Sequence, residues 1–108
     1  MKRTFTLSAL LALLALGNTA PVMAHGMYCQ CQAVGDGQVR CNGGLSDGTG
    51  LPGATLDVLG YDEKILVAGK LGDDSSFTFA APDGEFYVLL EMGPGHTAEV
   101  DHKDIAGL

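Results

Sequence analysis

Tryptophan is absent from this chain of 108 residues, and aromatic residues make up only 6% of it. Such a composition leaves little material for an extended aromatic surface on which a substrate would lie. The sequence also has no Ser/His/Asp order, nucleophile elbow, Cys-x-x-Cys pair or haem-attachment motif. These absences argue against catalysis, and we expect a protein that is not an enzyme.

Basic residues are scarce, and the first two, Lys2 and Arg3, precede an apolar run over residues 7–16. Together with the small-residue site at residues 22–24, this order is typical of a secretory signal peptide over residues 1–24. The run is shorter than the roughly 20 apolar residues of a membrane span, and no second run of that kind follows. We therefore expect an exported, periplasmic protein without direct membrane insertion.

Removing residues 1–24 from 108 leaves 84, enough for one small domain over residues 25–108. The core of such a domain is thin, so a disulfide or a bound metal would stabilise it. This part has four basic residues against all 13 acidic ones, which gives a formal charge of −9. A surface of that charge repels nucleic acid and anionic lipid, and we expect neither as a partner.

Short β-branched and aromatic runs alternate with Gly, Asp, Pro and Ser clusters from residue 27 onward, without helical periodicity. The pattern predicts seven strands, over residues 28–34, 38–45, 54–60, 65–71, about 77–79, 85–92 and 97–101. Turn residues about every 8–12 positions are typical of a β-sandwich, so we predict an all-β sandwich of immunoglobulin-like or transthyretin-like type. The residues expected in its core are Leu56, Val58, Leu66, Val67, Phe77, Phe79, Phe86, Val88 and Leu90.

Several short motifs resemble those of a known class of module. They are Ser46-Asp47-Gly48, Leu51-Pro52-Gly53-Ala54, Val58-Leu59, Phe77-Thr78-Phe79, Pro82, Gly84 and Tyr87-Val88. The pattern resembles the carboxypeptidase-regulatory-like or Cna-B-like β-sandwich modules. The resemblance implies the same fold and leaves function open, since such modules have many unrelated roles.

A second resemblance joins the end of the leader, Ala24-His25, to the segment Gly93-Pro94-Gly95-His96-Thr97-Ala98-Glu99-Val100. Both features resemble the small periplasmic accessory components of nickel and cobalt ECF-type uptake systems. The resemblance implies a metal-handling role beside a membrane metal transporter, with His25 and His96 in the metal site. The three cysteines depart from the pattern of that family.

Cleavage after Ala24 would make His25 the first residue, and a free N-terminal histidine chelates through its amine and a ring nitrogen. A second imidazole completes three nitrogens, for which His96 in its Gly-rich loop is the first candidate and His102 the second. Such ligands suit Cu(II), Ni(II) and Zn(II). We predict a transition-metal site of His25 and His96, with nickel or cobalt implied by the resemblance and copper as the alternative from ligand chemistry. A β-sandwich module that binds a protein partner without metal is the alternative from another class.

The three cysteines allow two interpretations. If residues 35–37 form a hairpin loop, counting outward places Cys31 opposite Cys41, which favours a disulfide in an oxidising compartment. Cys29 is then a reactive thiol, an intermolecular bridge or a ligand. The other interpretation is a cluster of three thiolates beside His25 and Met27, a soft site suited to Cu(I) or Zn(II). Possible additional metal ligands are Met27, Cys29 and His102.

Overall fold

A computed structural model describes residues 26–108 of the chain. Its strands are β1 (Met27–Gly35), β2 (Gln38–Leu45), β3 (Thr55–Gly60), β4 (Ile65–Lys70), β5 (Ser76–Ala80), β6 (Phe86–Glu91) and β7 (Thr97–Asp101). One short 3-10 helix, His102–Asp104, follows β7. The predicted leader and His25 lie outside the described residues. Within residues 26–108, none of the helical structure is long and apolar enough for a membrane span.

Two antiparallel sheets form the domain, and they confirm the predicted all-β fold. One sheet has the strand order β1-β2-β5 and the other has the order β4-β3-β6-β7. The buried side chains of both sheets meet in one cluster, to which the first sheet contributes Val39 and Cys41 and the second Leu56, Val88 and Leu90. The domain is therefore a two-layer sandwich whose core lies between the sheets.

Each observed strand begins and ends within one residue of its predicted bounds. The turns explain this agreement, because they need residues that adopt a positive φ. Between β1 and β2, Gly35, Asp36 and Gly37 have φ values of 99°, 56° and 73°. Glycine reaches these angles without steric cost and aspartate tolerates them, so the composition of the loop marks the ends of both strands.

Most of the predicted core is confirmed. Leu56, Val58, Phe79, Phe86, Val88 and Leu90 are buried, while Val67 and Phe77 are partly buried. The prediction for Leu66 is wrong, because its side chain is 49% exposed. Val67 pairs with Val58 and faces the core, and neighbouring residues of a strand point to opposite faces. The pairing is irregular next to Leu66, and β4 is an edge strand, so this side chain points to solvent.

Strands β1 and β7 are edges of different sheets, yet they contact each other along one side of the sandwich. Two cavities lie on this side. The first is lined by the start of β1 and the β6–β7 hairpin, and the second by the middle of β1 and the end of β7. The candidate ligands Met27 and His96 line the first cavity and Cys29 lines the second, while His102 lines neither.

Candidate metal centre

His96 lies in the β6–β7 hairpin, immediately before β7. The hairpin closes through two backbone hydrogen bonds of 3.0 Å, in which Met92 N donates to His96 O and His96 N donates to Gly93 O. Gly93 and Gly95 have φ values of 126° and 81°, which L side chains rarely adopt. The backbone is thus fixed, while the exposed His96 imidazole makes no hydrogen bond or ion pair with residues 26–108.

A cavity of about 510 Å³ brings His96 together with the beginning of the described chain. Its lining includes Gly26, Met27 and Met92 as well as His96. Gly26 is held in place by Ser46, the residue that directly follows β2, because its carbonyl accepts from Ser46 N at 2.7 Å and its N–H donates to Ser46 Oγ at 3.2 Å. The described residues therefore begin beside the imidazole of His96, which the sequence analysis predicted as a metal ligand.

His102 lies at the opposite end of β7. Six residue steps at about 3.3 Å each separate it from His96 by roughly 20 Å, too far for one ion to bind both. Its Nδ1 lies 3.1 Å from Phe86 O and 3.4 Å from Tyr61 Oη, and its ring packs 5.4 Å from the Phe86 ring. Tyr61 Oη also donates to Asp101 at 2.6 Å, which raises the pKa of Tyr61 to about 12. These contacts give His102 a packing role.

The predicted Cys31–Cys41 disulfide is confirmed. The two residues face each other across β1 and β2, with their Cα atoms 4.0 Å apart, and both are buried. Cys29 precedes Cys31 by two positions and therefore lies on the same face of β1. Its Sγ is 4.0 Å from the Cys31 Sγ, and all three sulfurs lie within 4.8 Å of one another. We call these three sulfurs the sulfur triad.

Cys29 is the free thiol of the triad, and burial raises its pKa to about 11. Only the thiolate is alkylated, and at pH 8 such a thiol is about 0.1% ionised, against about 24% for an ordinary cysteine. We expect iodoacetamide to modify Cys29 at pH 8 about 100-fold more slowly than it modifies a cysteine peptide, with a rate that rises about tenfold per pH unit toward pH 11. Timed mass spectrometry measures this rate. The protein unfolded in urea is the control, and equal rates for folded and unfolded protein would contradict the effect of burial.

Met92 is a cavity residue that the sequence analysis missed. It directly follows β6 and lies opposite His96 across the hairpin, as the 3.0 Å hydrogen bond between their backbones shows. A methionine at the end of an apolar strand resembles any other core residue in sequence. The available signal was the hairpin itself, since residues that flank a short loop are neighbours in space.

Comparison with protein families, with curated protein sequences and with solved structures found no match to this chain. The interpretation of its chemistry therefore depends on the arrangement of its own residues.

Proposed function

We propose that this chain is an exported, periplasmic protein that binds a transition metal and assists nickel or cobalt uptake, or metal delivery, beside a membrane metal transporter. The proposed ligands are His25, as the mature N-terminus, and His96. One observation supports this pairing above all: Gly26 and His96 line the same cavity. Consecutive Cα atoms are about 3.8 Å apart, so cleavage after Ala24 would leave a mature N-terminus only one residue from the lining of that cavity.

The ligand chemistry fits a divalent ion of the nickel and cobalt class. The amine and imidazole of one histidine and the imidazole of a second supply three neutral nitrogens, which such ions accept. Metal binding releases protons from these groups, so affinity falls as the solution becomes acidic. The excess of acidic residues after the leader, 13 against four basic ones, also favours the approach of cations.

Copper binding for delivery or storage is the second candidate, because Met27 and Met92 line the same cavity as His96. Thioether sulfur is a soft ligand that selects Cu(I) over nickel and cobalt. Met27 is partly buried and Met92 is 51% exposed, so both lie where a bound ion would reach them from solvent. The two candidates share one site and differ in whether the methionines bind the ion.

Calorimetric titration of the protein that begins at His25 tests both candidates. Changing His96 to Ala, or adding one Ala before His25, removes nitrogen ligands. We expect either change to weaken binding of Ni(II) or Co(II) by about 100-fold, since even the groups that only orient a ligand are worth about 10–100-fold. His102→Asn is the matched control, because it changes a histidine at the far end of β7, and its affinity should equal that of the unchanged protein.

Unchanged affinity after His96→Ala would remove this residue from the site, and indifference to the added Ala would remove the N-terminal amine. Met92→Leu separates the two metals, because it deletes a thioether at nearly constant volume. Nickel and cobalt affinities should be unaffected by it, whereas Cu(I) affinity should fall if copper is the cargo. A protein that binds none of these ions yet retains a protein partner would favour the interaction module.

A further inference from the structure

The sulfur triad is separate from the cavity around His96 and has chemistry of its own. Cys31 and Cys41 are covalently joined, and Cys29 places a third sulfur 4.0 Å from Cys31. A disulfide alone would stabilise the hairpin, so the third sulfur requires a different explanation. Two roles for it involve the disulfide sulfurs: Cys29 exchanges with the disulfide, or all three sulfurs share a ligand.

The geometry disfavours exchange. A thiolate attacks a disulfide in line with the bond that breaks, so the two outer sulfurs would lie about 6 Å apart, given a bond of about 2.05 Å and the 4.0 Å approach of Cys29. The three sulfurs instead lie within 4.8 Å of one another. They form a compact triangle, in which Cys29 approaches the disulfide from the side.

The Cys29–Cys31 edge of this triangle has the length expected for two thiolates bound to one ion, whereas the bonded Cys31–Cys41 edge is too short until the disulfide is reduced. Metal–sulfur bonds of about 2.3 Å place the sulfurs about 3.8 Å apart in a tetrahedral site and about 4.0 Å apart in a trigonal one. The Cys29 and Cys31 sulfurs are already 4.0 Å apart, the separation expected in a trigonal site. Once the disulfide is reduced, rotation of the Cys31 and Cys41 side chains separates their sulfurs while the β1–β2 pairing holds both backbones.

Solvent reaches the triad through the second cavity, of about 480 Å³, which Cys29 and Cys31 line together with the carboxylates of Glu99 and Asp104. Cys29 is partly buried, whereas Cys31 and Cys41 are buried. The cavity thus places two acidic residues near Cys29 and Cys31, and their negative charge favours the approach of a cation.

We propose that reduction of the Cys31–Cys41 disulfide by a dithiol turns the sulfur triad into a binding site for one Cu(I) ion, with Cys29, Cys31 and Cys41 as its three ligands. The dithiol supplies two electrons and two protons, so the disulfide bond breaks to two thiols and the dithiol itself becomes a disulfide. Binding of the ion then forms three copper–sulfur bonds and releases three thiol protons. Three soft thiolates suit Cu(I), whereas structural zinc takes four ligands.

Anaerobic titration with Cu(I) against a competing chelator, bicinchoninate, tests the proposal on the full exported chain reduced with a phosphine. We expect one Cu(I) per chain and protection of three cysteines from alkylation, as read by mass spectrometry. In the oxidised protein Cys31 and Cys41 are already blocked by the disulfide, and Cu(I) should not protect Cys29 from alkylation. Cys29→Ser leaves the disulfide intact and should weaken Cu(I) binding by the reduced protein at least about 100-fold, since even groups that only orient ligands are worth about 10–100-fold.

His96→Ala distinguishes the two sites, because it changes the cavity around His96 and should leave all three cysteines protected by Cu(I). If Cu(I) binding is lost in His96→Ala but not in Cys29→Ser, copper binds in the cavity around His96, which overturns this proposal and leaves the proposed function standing. Preference of the triad for Zn(II) over Cu(I) would also overturn it. So would a reduced chain that loses its β-sheet circular dichroism and does not regain it when Cu(I) is added.

Discussion

Replacing Phe86 with alanine is expected to lower the free energy of unfolding by about 3–5 kcal/mol, the usual range for a buried phenylalanine. Phe86 is 1% exposed and begins β6. Its ring lies edge-on to Phe79 at 6.4 Å and packs against His102 at 5.4 Å. Truncation would leave a cavity between the two sheets that these neighbours fill only in part. The total free energy of unfolding of a small domain is about 5–15 kcal/mol, so the expected loss is a large part of it. Urea unfolding of the variant should therefore show a midpoint far below that of the unchanged protein.

Phe77→Ala is the matched control for this prediction, because it removes the same atoms from a less buried place. Phe77 lies on β5, stacks on Phe79 at 6.2 Å and is only partly buried. We expect Phe77→Ala to lower the free energy of unfolding by roughly half as much as Phe86→Ala, since the loss scales with the apolar area withdrawn from water. Equal losses for the two variants would show that burial at Phe86 is not the cause.

The strands were predictable because their determinants are local. Alternating side chains identify each strand, and the Gly-rich and Asp-rich loops identify where it ends. The division into sheets was not predictable in this way. β5 pairs with β2 although it follows β4, and β3 pairs with both β4 and β6. Such pairings depend on contacts between distant parts of the chain, which no local pattern reports.

The Cys31–Cys41 disulfide could be predicted from the local register of the β1–β2 hairpin. A hairpin loop over residues 35–37 would place Val34 opposite Gln38, whereas the structure pairs Gln38 with Gly35 through an irregularity at the loop. From Ala33 and Val39 outward the register is the predicted one, so the Cys31–Cys41 pairing is unaffected. An error confined to the loop does not propagate into a ladder whose side chains already alternate correctly.

Neither the neighbourhood of His96 nor the role of His102 could be predicted from sequence. His96 lines the same cavity as Gly26 and Met27, although about 70 residues separate them in sequence, because β1 and β7 contact each other. His102 packs on Phe86 across the β6–β7 pair. Both placements follow from how the sheets assemble. In the assembled domain the His96 imidazole has no partner among the described residues, whereas the His102 imidazole packs against others.

Removing the disulfide with the double substitution Cys31→Ala and Cys41→Ala is expected to lower the free energy of unfolding by about 3 kcal/mol. The bond joins residues that are 10 positions apart, and a loop of about that length restricts the unfolded chain by about 2.7 kcal/mol. Both side chains are buried, so a smaller loss of packing adds to this. Urea unfolding with and without a reducing agent measures the effect, and reduction should destabilise the unchanged protein but not the double variant.

Cys29→Ala is the matched control for the disulfide, because it deletes a sulfur from the same face of β1 without opening a cross-link. We expect it to cost about 1 kcal/mol, as for an ordinary half-buried side chain. A double variant no less stable than Cys29→Ala would mean that the cross-link contributes little to this thin core. Comparison of the unchanged protein with Cys29→Ala connects stability to the sulfur triad, since a ligand that binds only the folded state raises its stability. Cu(I) should therefore restore the stability of the reduced, unchanged protein and do so much less for reduced Cys29→Ala.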